Sequence, residues 1–71
     1  MTRRFEFVGG NSSKFWEVSV RGATVTVRYG RLGTAGQTKN TGFTDAGTAK
    51  KHADSLIARK IGKGYQETAA V

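Results

Sequence analysis

The sequence predicts an α+β fold: a small antiparallel β-sheet of about four strands with one C-terminal α-helix packed on one face. Alternating apolar and polar segments, broken by glycine-containing turns, fill the first half of the chain. One segment of helical periodicity fills much of the second half. Two of the alternating segments also match each other residue for residue when they are paired across Gly22-Ala23 as a hairpin.

Arg3 to Val8 sets Phe5 and Phe7 against Arg4, Glu6 and Val8, the alternation of a half-buried strand. Gly9-Gly10-Asn11-Ser12-Ser13 interrupts it as a connecting loop. Lys14 to Arg21 and Thr24 to Arg31 are the next two strands. Counting outward from the Gly22-Ala23 turn pairs Val20 with Val25, Val18 with Val27, Trp16 with Tyr29 and Lys14 with Arg31. The other face then pairs Ser19 with Thr26, Glu17 with Arg28 and Phe15 with Gly30. One face is apolar, and the other carries a cross-strand ion pair. A bulge at Gly30 would shift this count at its far end.

Gln37 to Thr44 reads as a fourth, mostly polar strand. With Phe43 facing inward, Thr41, Lys39 and Gln37 share its face, the side that carries Tyr29 and Arg31. Thr44 is the expected helix N-cap, with Asp45 in the first turn. Ala46, Ala49, Ala53, Leu56 or Ile57, and Ile61 recur at helical spacing as the buried stripe. Gly62 is the expected C-cap, and Arg59, Lys60 and Lys63 lie at the negative end of the helix dipole. Lys50, Lys51 and His52 fall on the solvated side, and Tyr65 is expected to fold back onto the sheet. Residues 3–67 form the expected core of a single domain, with 68–71 as a tail.

A chain of 71 residues buries only roughly 60% of its unfolded surface. There is no cysteine, so neither a disulfide nor a thiolate metal site adds stability. No apolar run is long enough to cross a bilayer, and Met1-Thr2-Arg3-Arg4 is not followed by an apolar signal core. The expectation is a cytoplasmic protein with no membrane partner, nucleoid association included. Twelve Lys and Arg against five Asp and Glu give a net charge of +7, which makes nucleic acid the first partner to consider.

Catalytic chemistry is poorly provided for. His52 is the only histidine, Asp45 and Asp54 are more than two helical turns apart, and Glu6 and Glu17 lie on different strands among basic neighbours. No metal, cofactor or small-molecule substrate is expected. Gly30, Gly33 and Gly36 recur at every third position but lack the Lys-Ser/Thr ending of a phosphate loop, and a strand follows rather than a helix.

The most informative stretch is Tyr29-Gly30-Arg31-Leu32-Gly33-Thr34-Ala35-Gly36-Gln37. Strand alternation puts Tyr29 and Arg31 on one side, a flat ring beside a planar cation. Such a pair stacks on a sugar or base while the guanidinium forks onto phosphate. The plain structural reading makes Tyr29 a core aromatic at a strand end and Arg31 a solvated edge charge.

This stretch resembles the signature of the WGR domain: Trp-Gly-Arg, an apolar residue, Gly and usually Thr. The resemblance extends through Lys14 to Val20, the segment Phe43 to Ile61 and Gly64-Tyr65. Tyr29 stands where the family name has Trp, keeping a flat face with less area and no indole donor. WGR domains occur in poly(ADP-ribose) polymerases, where they help bind DNA breaks, and in bacterial proteins as short or standalone modules. The resemblance implies that Tyr29 and Arg31 are the functional aromatic and arginine, and that Lys39 is a basic residue on the following strand.

The expected function is therefore non-enzymatic, sequence-nonspecific nucleic-acid binding, with DNA favoured. Tyr29, Arg31, Lys39 and Gln37 are the primary contacts, Lys14 and Arg28 the second rank, and Gly30, Gly33 and Trp16 the structural signature. No basic helix presents the Asn, Gln and Arg pattern that reads a major groove. One alternative is a protein-interaction module that contacts another domain. Another is RNA or single-strand binding, with Phe15 and Tyr29 as stacking platforms.

Overall fold

Pairing of Val18 with Val27 and of Trp16 with Tyr29 anchors the architecture. The structure is a computed structural model that describes residues 2–68. Strands β1 (Thr2–Gly9), β2 (Ser12–Arg21), β3 (Thr24–Arg31) and β4 (Gln37–Gly42) precede helix α1 (Ala46–Gly62) and a short β5 (Gln66–Thr68). The strands form one antiparallel sheet in the order β4-β3-β2-β1-β5. The β2–β3 register runs without a bulge from Arg21–Thr24 to Lys14–Arg31. Gly22 takes a positive φ of 54° while Ala23 does not, the requirement of a two-residue turn with glycine first.

Several boundaries differ from the sequence expectation, among them the end of β4, at Gly42 rather than Thr44. The five-residue loop after Val8 is a tight turn, because Gly9 pairs with Ser12 and only Gly10-Asn11 remain between the strands. Asp45 rather than Thr44 caps the helix: its Oδ1 accepts the Thr48 backbone N–H at 2.7 Å. Those hydrogen bonds, the backbone one foremost, hold the Asp45 carboxyl below the usual carboxylate range. At the other end the cap is Lys63 rather than Gly62, and Gly64 supplies the left-handed residue with φ 100°. The Tyr65 N–H bonds the Lys60 carbonyl and the Gly64 N–H bonds that of Ile61, which closes the helix and turns the chain back.

That reversal makes the fifth strand. Seventeen residues of helix span about 25 Å, enough to cross a five-stranded sheet of roughly 19 Å between its outer strands. The chain therefore arrives beside β1, where Thr68 pairs with Arg4 and Glu67 with Phe5. Thr68, expected in the tail, is thus a strand residue; 69–71, also assigned to the tail, lie outside the described residues.

Helix α1 packs on β2 and β3. Phe5, Trp16, Val18 and Val25 from the sheet meet Ala49, Ala53 and Ile57 from the helix, and Tyr65 closes one end. The small alanines let helix and sheet approach closely. Ala46 and Ile61, expected in the buried stripe, are exposed, Ile61 by 53%. The helix face instead runs from Ala53 and Ile57 to Lys60, one residue short of Ile61.

The opposite face also has a buried aromatic. Phe15, expected as an exposed stacking platform, is only 2% exposed. Strand alternation puts it on the face away from the helix, where Arg4 and Arg28 lie over its ring at 4.6 and 5.0 Å. Glu17 accepts from both guanidiniums, at 2.6 Å from Arg4 and 3.0 Å from Arg28, and Glu6 accepts from Arg4 at 3.0 Å. Burial, the largest influence on Glu17, opposes its charge, but the Arg4 and Arg28 hydrogen bonds outweigh it and hold the carboxyl below its ordinary value.

Candidate nucleic-acid interface

The loop after Tyr29 is shaped by glycines that allow the backbone to fold on itself. Gly33 and Gly36 take positive φ values of 88° and 71°. A β-carbon on Gly36 would fall 2.8 Å from the tip of the Phe15 ring, and one on Gly30 would meet the Gly36 backbone. The loop thus closes over Phe15, with the Arg31 carbonyl bound by the Thr34 N–H at 3.1 Å and by its hydroxyl at 2.7 Å. On the other side of β3, the same stretch directs Tyr29 and Arg31 toward the helix face.

There the sheet end opens a cleft of about 290 Å³. Lys14, Tyr29 and Arg31 line it from the sheet, Asn11 to Ser13 from the β1–β2 turn, and Lys60 and Tyr65 from the end of the helix. Tyr29 is 41% exposed and donates its hydroxyl hydrogen to Gln37 Oε1 at 3.3 Å. The Lys60 Nζ lies 5.1 Å from the centroid of the Tyr65 ring and 5.6 Å from that of Trp16. The Lys14 Nζ lies 5.8 Å from the Tyr65 ring and 5.2 Å from that of Phe7. Tyr65 is therefore flanked by two ammonium groups.

Burial pushes the Lys60 pKa down, and the charges of Lys63 and Lys14 push the same way. Among the described residues, Lys14, Arg31 and Lys60 enter no ion pair. Four of the five Asp and Glu side chains are engaged elsewhere: Glu6 and Glu17 on the opposite face, Glu67 with Arg3 at 2.7 Å, and Asp45 at its cap. A concentration of uncompensated positive charge beside two phenol rings remains.

The structure brings Tyr29, Arg31 and Lys14 together and sets Gln37 beside Tyr29. Lys39 lies opposite Val27 on the helix side of β4 and lines a neighbouring groove with Tyr29. Trp16 is buried, beneath Lys60. Arg28 is not part of the assembly: it lies on the opposite face, bound to Glu17 and to the Ala35 carbonyl at 2.9 Å. Lys60 and Tyr65 were missed as site residues. Spacing held the signal for Lys60, which is seven residues from the buried Ala53 and three from the buried Ile57.

Comparison with known proteins bears on this site. A WGR domain profile matches residues 1–71. The chain belongs to the WGR domain family. WGR domains are, as a family, nucleic-acid-binding modules. A crystal structure of a Bacteroides fragilis protein matches this WGR domain with a TM-score of 0.95 and 52% identity, over 97% of this chain and 20% of that one. Two Escherichia coli (strain K12) proteins are also similar. YfeS is 37% identical and YehF 39% identical, each over 67 residues or 94% of this chain. The chain spans only 28% of YfeS and 24% of YehF, so these relatives carry a WGR domain within much longer proteins.

In this WGR domain the Tyr-Gly-Arg signature has two structural sides. Gly30 faces Phe15 and permits the loop to close over it, while Tyr29 and Arg31 face the cleft. No helix among the described residues is long and apolar enough to cross a membrane.

Proposed function

We propose that this WGR domain binds nucleic acid, DNA in preference, without reading sequence, through the cleft between the sheet end and the end of α1. Tyr29 stacks on a sugar or base, and Arg31 forks onto phosphate. Lys14, Lys60 and Lys39 add phosphate contacts, and Gln37 holds the Tyr29 hydroxyl. The observation that carries this reading is the separation of charge. Arg3, Arg4 and Arg28 are matched to carboxylates, whereas Arg31, Lys14 and Lys60, with no ion pair among the described residues, converge on the cleft beside the exposed Tyr29. In this reading the domain is a binding module: cations stand beside phenol rings in the cleft, and its lining includes no carboxylate or histidine.

A salt titration against duplex DNA, single-stranded DNA and RNA tests it. Each phosphate neutralised on duplex contributes a log–log slope of about −0.9, so three or four engaged cations give roughly −3 to −4. Absence of binding to all three at low salt would overturn the proposal. Tighter binding to RNA than to either DNA would remove the DNA preference alone.

A further inference from the structure

A second recess lies on the helix side of the sheet, separate from the cleft. Helix α1 lies over β2 and β3, leaving a groove of about 260 Å³ between the helix and β4. Val25 and Val27 form its apolar floor and Leu56 its wall. Lys39, His52 and Lys60 are the titratable groups at its rim, with the Tyr29 hydroxyl at one end; no carboxylate lines it. The His52 ring lies 4.9 Å from the Phe43 ring at a tilt of 42°, and Phe43 packs against the core.

The groove runs beside an open sheet edge. β4 is an outer strand, and among the described residues its far side pairs with no other strand. Its six residues, Gln37–Gly42, contain no proline. Such an edge accepts an added strand through its main-chain N–H and C=O groups, and alternate side chains of that strand point to the helix face. A second copy of this chain is the poorer occupant, since it would bring another Lys39 to the junction and a second charge of +7.

We propose that β4 and the adjoining groove form a docking site for an extended acidic peptide. The peptide pairs along β4, sets its carboxylates against Lys39 and His52, and inserts an aliphatic or aromatic side chain between Val27 and Leu56. The apolar floor supplies the anchor and the rim supplies the sign of charge. Tyr29 and Lys60 line this groove as well as the cleft, so the two sites share a wall.

The test is a titration of the isotope-labelled chain, followed by amide NMR, with blocked nonapeptides of threonine at every even position and glutamate, leucine or phenylalanine in turn at the odd ones, so that carboxylates and apolar side chains share one face of the strand. A control series replaces each glutamate by lysine. The expected result is shifts in Gln37–Gly42, Val27, His52 and Leu56 with the acidic series. Lys39→Glu, a substitution on an exposed edge, is expected to weaken binding by about tenfold or more, and Leu56→Ala to weaken it while the spectrum stays folded. The proposal is overturned if the acidic series does not bind, if the lysine series binds equally, or if shifts fall only on Lys14, Arg31 and the β1–β2 turn. Dimerisation through β4 would overturn it in favour of a second copy. The titration contains no nucleic acid, so its outcome is independent of the cleft's proposed function.

Discussion

Gly36 packs directly on Gly30: a β-carbon built on Gly30 would lie 2.7 Å from the Gly36 Cα, closer than real side chains come to backbone. This contact lets the loop cover Phe15 from the face opposite the cleft, so the signature's glycine and its Tyr29 and Arg31 side chains serve opposite sides of one strand.

Gly30→Ala is therefore expected to destabilise by about 1–3 kcal/mol, the usual effect of forcing a methyl into a packed site. Gly36→Ala is expected to cost more, because φ 71° adds backbone strain to clashes with the Tyr29 carbonyl, the nearest group, and with Phe15. Gly33→Ala meets nothing within 4 Å and carries only the strain of φ 88°. Denaturant midpoints should rank the three as Gly36, Gly30, Gly33, from most to least damaging.

Phe15→Ala should lose about 3–5 kcal/mol by chemical denaturation, although it lies on the face away from the helix. Val27→Ala on the helix side should lose about 1–3 kcal/mol. Thr26→Ala, which removes only an exposed 2.7 Å hydrogen bond to Asn40, should lose about 1 kcal/mol or less. A small loss at Phe15 would show that the loop does not seal that ring.

Glu17 predicts a loss of stability in acid. Its folded-state pKa lies below its unfolded value, so it contributes stability that is complete above the ordinary carboxylate range and vanishes as pH falls through the folded value. Melting temperature should decline below about pH 4.3, the ordinary glutamate value. Glu17→Gln should flatten that part of the decline and lower stability at neutral pH, because Arg4 and Arg28 lose the shared negative charge and one of its two acceptor oxygens.

Tyr29→Ala should remain folded and lose about 1–3 kcal/mol of nucleic-acid affinity, the value of a stacked base. Tyr29 is 41% exposed and lies outside the core cluster, so the core stays intact. Arg31→Ala and Lys60→Ala should each weaken binding and reduce the magnitude of the salt slope by about one contact. Lys50→Ala, on the exposed side of α1, is the control and should leave binding unchanged. If Lys50 matters as much as Arg31, the helix surface rather than the cleft holds the ligand.

The central hairpin was legible in the residues because turn chemistry and alternation are local and agree. Gly22-Ala23 determines the count, and a period of two then places every partner from Val20–Val25 to Lys14–Arg31. The convergence of Tyr29, Arg31 and Lys14 at one sheet end follows from the same count. The sequence reading placed the caps at Thr44 and Gly62, whose chemistry is shared by the neighbouring Asp45 and Gly64 that serve in the structure. Only the chain's path decides which residue accepts the capping hydrogen bond or makes the turn.

Tertiary structure decided what depends on distant segments meeting. Phe15 reads as a lone aromatic on a polar face until Arg4 from β1, Arg28 from β3 and Gly36 from the loop close over it. Lys60 reads as a charge at a helix end until the crossing of α1 sets it over Trp16 and the returning Tyr65. Gln66–Thr68 carries too short a pattern to announce a strand, and it becomes one because the helix is long enough to deliver it to the open edge of β1. Alternation and turn chemistry act between near neighbours and are written along the chain, whereas burial and electrostatic environment belong to the assembled surface.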